Sequence, residues 1–226
     1  RDGTSWSTPR QIYGVNYWLW RLVAADGAYW CAAYHFGRRD DRDMRTVHLL
    51  RSEDLLDWRL VTQIRSGGGP GEPVLYAPEP RVLHTVVRTL EPENHSWLGI
   101  SRAPYVDWQW HDLSVMIHCP VVLQLQDGRW IVAGRSQAKD PPPGDSAEIG
   151  EQHDTAGHHT SVWEIAGTRA QHLLTVASGG DCSYCGLAPG PDGDSVLMSY
   201  YSQHERLPLP TQPPTPSDVY LAHMTL

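Results

Sequence analysis

Ser52-Glu53-Asp54-Leu55-Leu56-Asp57-Trp58 lies between two apolar runs. The short side chains of its Ser and Asp can accept backbone N–H bonds and close a corner, and its Trp then opens the next run. Looser copies stand at Asp2-Gly3-Thr4-Ser5-Trp6-Ser7 and at Ser101-Arg102-Ala103-Pro104-Tyr105-Val106-Asp107-Trp108. A corner that returns about every 50 residues reads as one small sheet used repeatedly.

Working outward, the alternation of apolar and polar residues gives the strands, and turn residues separate them. The first full copy reads Leu19–Val23, a turn at Ala25-Asp26-Gly27, Tyr29–Tyr34, Thr46–Leu50 and Asp57–Val61. A second reads Pro73–Tyr76, Val82–Val87, Trp97–Ile100 and Trp108–Trp110. A third reads Val121–Leu123, Trp130–Ala133, His159–Ile165 and His172–Val176, and a last copy beginning at Cys182 supplies three strands, ending with Val219–Met224. Four-stranded antiparallel sheets in series predict an all-β fold, a β-propeller forming one domain over residues 1–226, in which each sheet buries its faces against its neighbours.

Composition agrees: 18 Pro, 20 Gly and 10 Trp suit a turn-rich sheet protein with aromatic wedges between its sheets. A net charge of -8, with Lys139 the sole lysine, argues against a nucleic-acid partner, which would call for a basic stripe. No apolar run is long enough for a membrane span. The chain opens inside an Asp-Gly turn, which suggests that one or two N-terminal sheets of a five- or six-bladed parent precede Arg1; alternatively, Trp6–Ile12 completes the three-stranded last sheet and closes a four-bladed ring.

Tyr17-Trp18-Leu19-Trp20-Arg21, Gly134-Arg135-Ser136, Ser178-Gly179-Gly180-Asp181-Cys182-Ser183-Tyr184-Cys185-Gly186 and Ser199-Tyr200-Tyr201-Ser202-Gln203-His204-Glu205 together resemble the sialidase superfamily, in its bacterial exo-α-sialidase-like, Asp-box (BNR) repeat branch. The resemblance runs over nearly the whole chain. It implies a six-bladed propeller with a central pocket, three Arg that grip a sugar carboxylate, a Tyr nucleophile assisted by a Glu, and an Asp acid/base. Such chemistry has a physical logic. The anomeric carbon of an acidic sugar already bears a carboxylate, so a neutral Tyr avoids the repulsion an anionic nucleophile meets, and planar Arg forks bind that carboxylate bidentately. The chain departs from the pattern at Gly71-Glu72-Pro73-Val74-Leu75-Tyr76-Ala77, which keeps the Glu and loses a nearby Arg, and at Cys185, which replaces a Pro.

Strand position nominates the site residues, because the first strand of each sheet lines the centre. Arg21, Glu72, Pro120 and Asp181 mark successive first-strand entrances, while the second strands offer Arg88 and Arg135, with Tyr200, Tyr201, His204 and Glu205 in the last sheet. The expected catalytic set is therefore Glu72, Asp181, Tyr201 and Glu205, and the expected sugar-binding set is Arg21, Arg88, Arg135 and Tyr184. Tyr200 and Tyr201 alternate across their strand, so only one of them faces the centre.

Three other readings stay open. A non-catalytic carbohydrate-binding or interaction propeller would use Trp18, Trp20 and Tyr184 as stacking surfaces, and carboxylates each tied up in an ion pair would favour it. A different carboxylate-pair glycosidase would use Glu72 with Asp181 or Glu205. The C-x-x-C of Cys182 and Cys185, with Cys31, Cys119, His118, His158 and His159, is the only metal-like feature; it lacks the paired doublets of a zinc site, so neither a metal nor a cofactor is expected. Four thiols without a disulfide pattern lean toward a reducing compartment. Residues Lys139–His158 and Arg206–Ser217, rich in Pro, read as surface loops of polyproline character.

Overall fold

A computed structural model describes residues 3–35, 45–90, 93–137, 157–191, 195–206 and 216–226, and every regular element among them is a β-strand. The tip of each Pro-rich loop, 138–156 and 207–215, lies outside the described residues. The first antiparallel meander is β1 (Tyr17–Ala25), β2 (Ala28–His35), β3 (Thr46–Ser52) and β4 (Arg59–Ser66). The second is β5 (Gly71–Glu79), β6 (Val82–Arg88), β7 (Ser96–Arg102) and β8 (Gln109–Asp112); it joins the first through a parallel contact of Arg21 on β1 with Val74 on β5. The third is β9 (His118–Gln124), β10 (Trp130–Gln137), β11 (His158–Ala166) and β12 (Arg169–Val176), and the last is β13 (Ser183–Pro189), β14 (Ser195–Ser202) and β15 (Asp218–Thr225).

Apolar faces explain how the sheets sit. Leu49 and Tyr34 of the first sheet pack with Leu75 and Leu83 of the second; Val74, Tyr76 and Val86 pack with Val132 and Trp163 of the third; Val121, Ile131 and Val162 pack with Met198 and Tyr200 of the last. Each fully buried Leu, Ile or Val in these layers contributes about 1.5–3 kcal/mol of transfer free energy, so the sheets stand face to face around a shared centre. Tight turns set the registers. Asp26 and Gly27 both take positive φ, 49° and 71°, as the two-residue hairpin between β1 and β2 demands. The carboxylate of Asp26 then accepts the Tyr105 hydroxyl and the Arg81 N–H, tying this hairpin to the second sheet.

The repeated corner has the structure its residues suggest. Ser52 Oγ accepts the N–H groups of Asp54 and Leu55, Asp54 Oδ1 accepts those of Leu56 and Asp57, and Trp58 Nε1 donates to Leu55 O. In the second copy Ser101 Oγ donates to Asp107 O and Trp108 Nε1 to Tyr105 O. The N-terminal copy differs: Trp6 is 91% exposed and packs no corner. Trp6–Ile12 is also not a strand and does not complete the last sheet. Its neighbourhood lies along the first sheet instead, with Arg10 Nη2 2.6 Å from Asp57 Oδ1 and the Tyr13 hydroxyl 3.0 Å from His48 Nδ1. The aromatic surface of Tyr13 and Tyr17 covers Leu19, Ala33 and Trp58 on that outer face, which the extended segment could not do from the edge of β15.

Candidate functional site

One irregularity recurs in all four first strands. Pairing steps from Leu19↔Ala33 to Leu22↔Cys31 in the first sheet, from Gly71↔Arg88 to Val74↔Val86 in the second, from His118↔Arg135 to Val121↔Ala133 in the third, and from Ser183↔Tyr201 to Gly186↔Ser199 in the last. Each time three steps on the first strand oppose two on the second. That is a β-bulge, which bends a strand and re-aims a side chain. Trp20, Glu72, Cys119 and Tyr184 are thereby equivalent positions. The last three hold φ of 48°, 54° and 45°, a left-handed conformation that costs energy outside glycine and that surrounding contacts must enforce. Gly134 allows the third bulge, since a Cβ there would stand 2.6 Å from His118 O.

Equivalence by bulge corrects the sequence reading. The counterpart of Glu72 is Cys119 rather than Pro120, and Tyr184 rather than Asp181; Asp181 stands before β13 and enters the centre from the connection. The residues flanking the bulges on the second strands are Arg88, Arg135 and Tyr201, and each lies beside its own sheet's bulge. In the second sheet Arg88 Nε is 3.1 Å from Glu72 Oε2, a charge contact without an aligned hydrogen bond, and the same oxygen accepts the Cys119 N–H at 2.8 Å. In the last sheet the Tyr184 and Tyr201 rings stack at 6.0 Å.

Arg135 serves the neighbouring sheet. Its Nη2 donates to Asp181 Oδ1 at 2.7 Å and to Tyr201 Oη at 3.0 Å, and its Nε donates to Cys182 O at 2.8 Å. Tyr201 Oη donates to the same Asp181 oxygen at 2.7 Å, while Gln203 Oε1 accepts the Asp181 N–H. Burial opposes the charge on Arg135, yet its acidic neighbours, Asp181 among them, hold its pKa above the ordinary value. Tyr201 titrates above the usual phenol range, first through burial and then through its bond to Asp181. It is therefore a neutral hydroxyl over a carboxylate throughout the physiological range.

Arg21 closes the ring, donating from Nη2 to Cys185 O at 2.6 Å, with its pKa lowered by burial. Trp20 leans on Tyr184 at 5.9 Å and donates to Pro120 O. Tyr184 is 51% exposed, so its outer face is open. Tyr200 points to the opposite face and donates to Ala177 O. Seven of the eight nominated residues thus meet at the centre. Glu205 does not: it is exposed in the turn after β14, where its side chain neighbours Tyr220.

Sequence reasoning missed Tyr34 and Arg45. Tyr34, pushed up to about 12 first by burial and then by the Glu72 charge, lies beside Glu72, and buried Arg45 lies beside it. Tyr34 stands near the end of the first sheet's second strand, one residue past Ala33, the counterpart of Arg88 and Arg135, while Arg45 precedes β3 and has no such counterpart. Cys119, absent from the expected site residues, is a bulge residue at the centre, its thiol pushed up to about 12 by burial. Among the described residues no group of three or more His, Cys, Asp or Glu side chains is placed to hold a metal ion, and no helix is long and apolar enough to cross a membrane.

No family model matches the chain, and no curated protein matches it. Solved structures do. The Bombyx mori GH32 β-fructofuranosidase superposes with a TM-score of 0.53 at 14% identity, over 83% of this chain and 44% of that one. The endo-arabinase from Bacteroides thetaiotaomicron gives 0.56 at 12% identity, over 91% of this chain and 73% of that one. The phage phi92 endosialidase gives 0.56 at 10% identity, over 89% of this chain and 34% of that one. At such identities the likeness is one of fold, that of glycoside-hydrolase propellers.

Proposed function

We propose that this chain is a sialidase-like glycosidase propeller whose centre takes a terminal acidic sugar. One observation carries the reading: Arg21, Arg88 and Arg135 gather at the centre against two carboxylates among the described residues, Glu72 and Asp181, in a chain whose net charge is -8, with the Tyr201 hydroxyl lodged between Arg135 and Asp181. Surplus guanidinium at the centre of an acidic protein suits an anionic ligand. Tyr201 is the nucleophile and Asp181 the base that takes its proton as the Tyr201 oxygen bonds to the anomeric carbon and the bond from that carbon to the aglycone oxygen breaks; water then cleaves the Tyr201–sugar bond, restoring the phenol, and Asp181 gives up its proton to solvent. Tyr184 offers an aromatic face for the ring.

A second reading, a non-catalytic sugar-binding propeller, is favoured by the engagement of both central carboxylates in ion pairs, Glu72 with Arg88 and Asp181 with Arg135. Neither is then free to protonate a leaving oxygen while Asp181 receives the Tyr201 proton. An aryl aglycone leaves as its anion and needs no such acid, so the substrate separates the readings. On the enzymatic reading the chain releases 4-methylumbelliferone from its α-sialoside, and Tyr201→Phe abolishes the release. Saturable sialic acid binding without release of the fluorophore would leave the binding propeller standing.

A further inference from the structure

Tyr184 differs from the two other left-handed residues at its repeated position. Glu72 and Cys119 are 6% and 1% exposed and are tied together by the bond from the Cys119 N–H to Glu72 Oε2, whereas Tyr184 is 51% exposed. Its backbone differs too. φ is 114° at Ser183 and 45° at Tyr184, and only in this bulge does the residue before the bulged one also take a positive φ. Such a pair persists only while neighbouring contacts enforce it.

The ring reaches across the centre. It starts from β13, meets Trp20 and Tyr201 with centroids 5.9 and 6.0 Å away, and ends in a hydroxyl that shares a hydrogen bond with the Cys119 side chain and senses the Glu72 charge. Exposure drops toward that end: the side chain of Asp181 is 47% exposed, but those of Arg135, Arg88 and Glu72 are 16%, 15% and 7% exposed. A carboxylate lies along a guanidinium only where an edge of the fork is open. A sugar carboxylate therefore meets Arg88 only after the phenol has moved.

Little holds the phenol where it is. Its contacts are two ring faces and a bond to sulfur, a weak hydrogen-bonding partner. Half of its surface already meets water, so an outward turn about χ1 uncovers little more of the ring itself. We propose that Tyr184 is a lid, which covers Arg88 and Glu72 in the position described and swings outward to admit the sugar carboxylate. The inference rests on the sugar-binding reading of the centre, but the motion is measurable with no sugar present.

Cys119 reports the motion. Its thiol and that of Cys31 are 1% and 0% exposed and are both pushed up to about 12, first by burial, so the two differ in what covers them rather than in acidity. Methyl methanethiosulfonate labels either one: the cysteine sulfur bonds to the methylthio sulfur, methanesulfinate leaves, and the thiol proton goes to solvent. Peptide mass mapping of the whole chain after timed exposure gives the rate at each cysteine. The expected result is a Cys119 rate at least about tenfold above that of Cys31, and a further rise of about threefold in Tyr184→Phe, which keeps the ring and drops its bond to Cys119. Saturating sialic acid slows the labelling of Cys119 in the unaltered chain. A Cys119 rate no higher than that of Cys31, or one unchanged in a folded Tyr184→Phe protein, would overturn the lid and leave the sugar reading standing. Fast labelling that sialic acid does not slow would keep the motion and overturn the ligand assigned to it.

Discussion

Tyr201 Oη lies 2.7 Å from Asp181 Oδ1, and Arg135 Nη2 reaches both. The phenol comes from the second strand of the last sheet, the carboxylate from the connection before its first strand, and the guanidinium from the sheet before. Chemistry at this point therefore depends on the docking of two sheets. On the proposed enzymatic reading Tyr201→Phe removes the nucleophilic oxygen and keeps the ring that stacks on Tyr184, so turnover of an aryl sialoside falls to background while the sugar still binds. Asp181→Asn keeps an acceptor but takes no proton, and lowers kcat by about 10²–10⁴-fold with KM little changed. Since Tyr201 titrates above the usual phenol range, the pH profile shows no limb from it between pH 5 and about 9. Stopped assays over that range, with calorimetry for binding, check all three outcomes.

Glu72 sets the second prediction. Its side chain is 7% exposed, balances Arg88 and accepts the Cys119 N–H, holding two bulges together. Glu72→Ala strands the guanidinium and the N–H at once, and breaking a buried pair in this way costs about 3–5 kcal/mol. Glu72→Gln still offers an oxygen to Cys119 and costs less. Urea unfolding of the two variants gives that order; equal midpoints would mean that the bond to Cys119 contributes nothing.

The sheets were legible because they obey local rules: alternation, Asp-Gly turns and the Ser52–Trp58 corner all act over a few residues. The centre was legible in part. Arg88 and Arg135 were found at strand ends by periodicity, but a bulge shifts the pairing by one residue without any fixed residue type to mark it: its position holds Trp20, Glu72, Cys119 and Tyr184 in the four sheets. Equivalence was accordingly misplaced by one residue at Arg21 and at Pro120 and by three at Asp181. Trp6–Ile12 misled for the opposite reason. Asp2-Gly3-Thr4-Ser5-Trp6, just before it, repeats the corner's composition, but without the Ser-to-Trp spacing that closes the hydrogen bonds around Ser52.

Three histidines make the protein sensitive to acid. Burial lowers the pKa of His118 to about 3, and those of His84 and His158 to about 4, from an ordinary value near 6.5. Between those values and 6.5 the unfolded chain binds protons that the folded one refuses. Stability is then full above pH 6.5 and declines as pH falls toward 4, His118 alone contributing a slope of about 1.4 kcal/mol per pH unit. Urea midpoints at pH 7, 5.5 and 4.5 trace the decline, and His118→Gln makes it shallower. A midpoint independent of pH over that window would rule out neutral burial of these rings.

Arg65 on β4 is held between Trp97 of β7 and Trp110 of β8, its guanidinium carbon 4.5 and 4.6 Å from the two ring centroids. The contact joins the outer strands of the first and second sheets, where backbone pairing is absent and aliphatic packing is thin. A planar cation between two indoles gains from both ring faces, about 0.5–2 kcal/mol for each, and less where water reaches it. A lysine can bring its ammonium near one ring but cannot lie flat against two. Arg65→Lys therefore lowers the urea midpoint, Arg65→Ala lowers it further by also losing the contact area, and Arg65→Met recovers part of the Ala loss, because its thioether fills the slot without a buried Nε that lacks a partner among the described residues. If Lys matched the parent chain, the clamp would be ordinary charge attraction toward Asp112, the one acidic group that raises the Arg65 pKa against burial, and Asp112→Asn would then destabilise the chain as much as Arg65→Ala does.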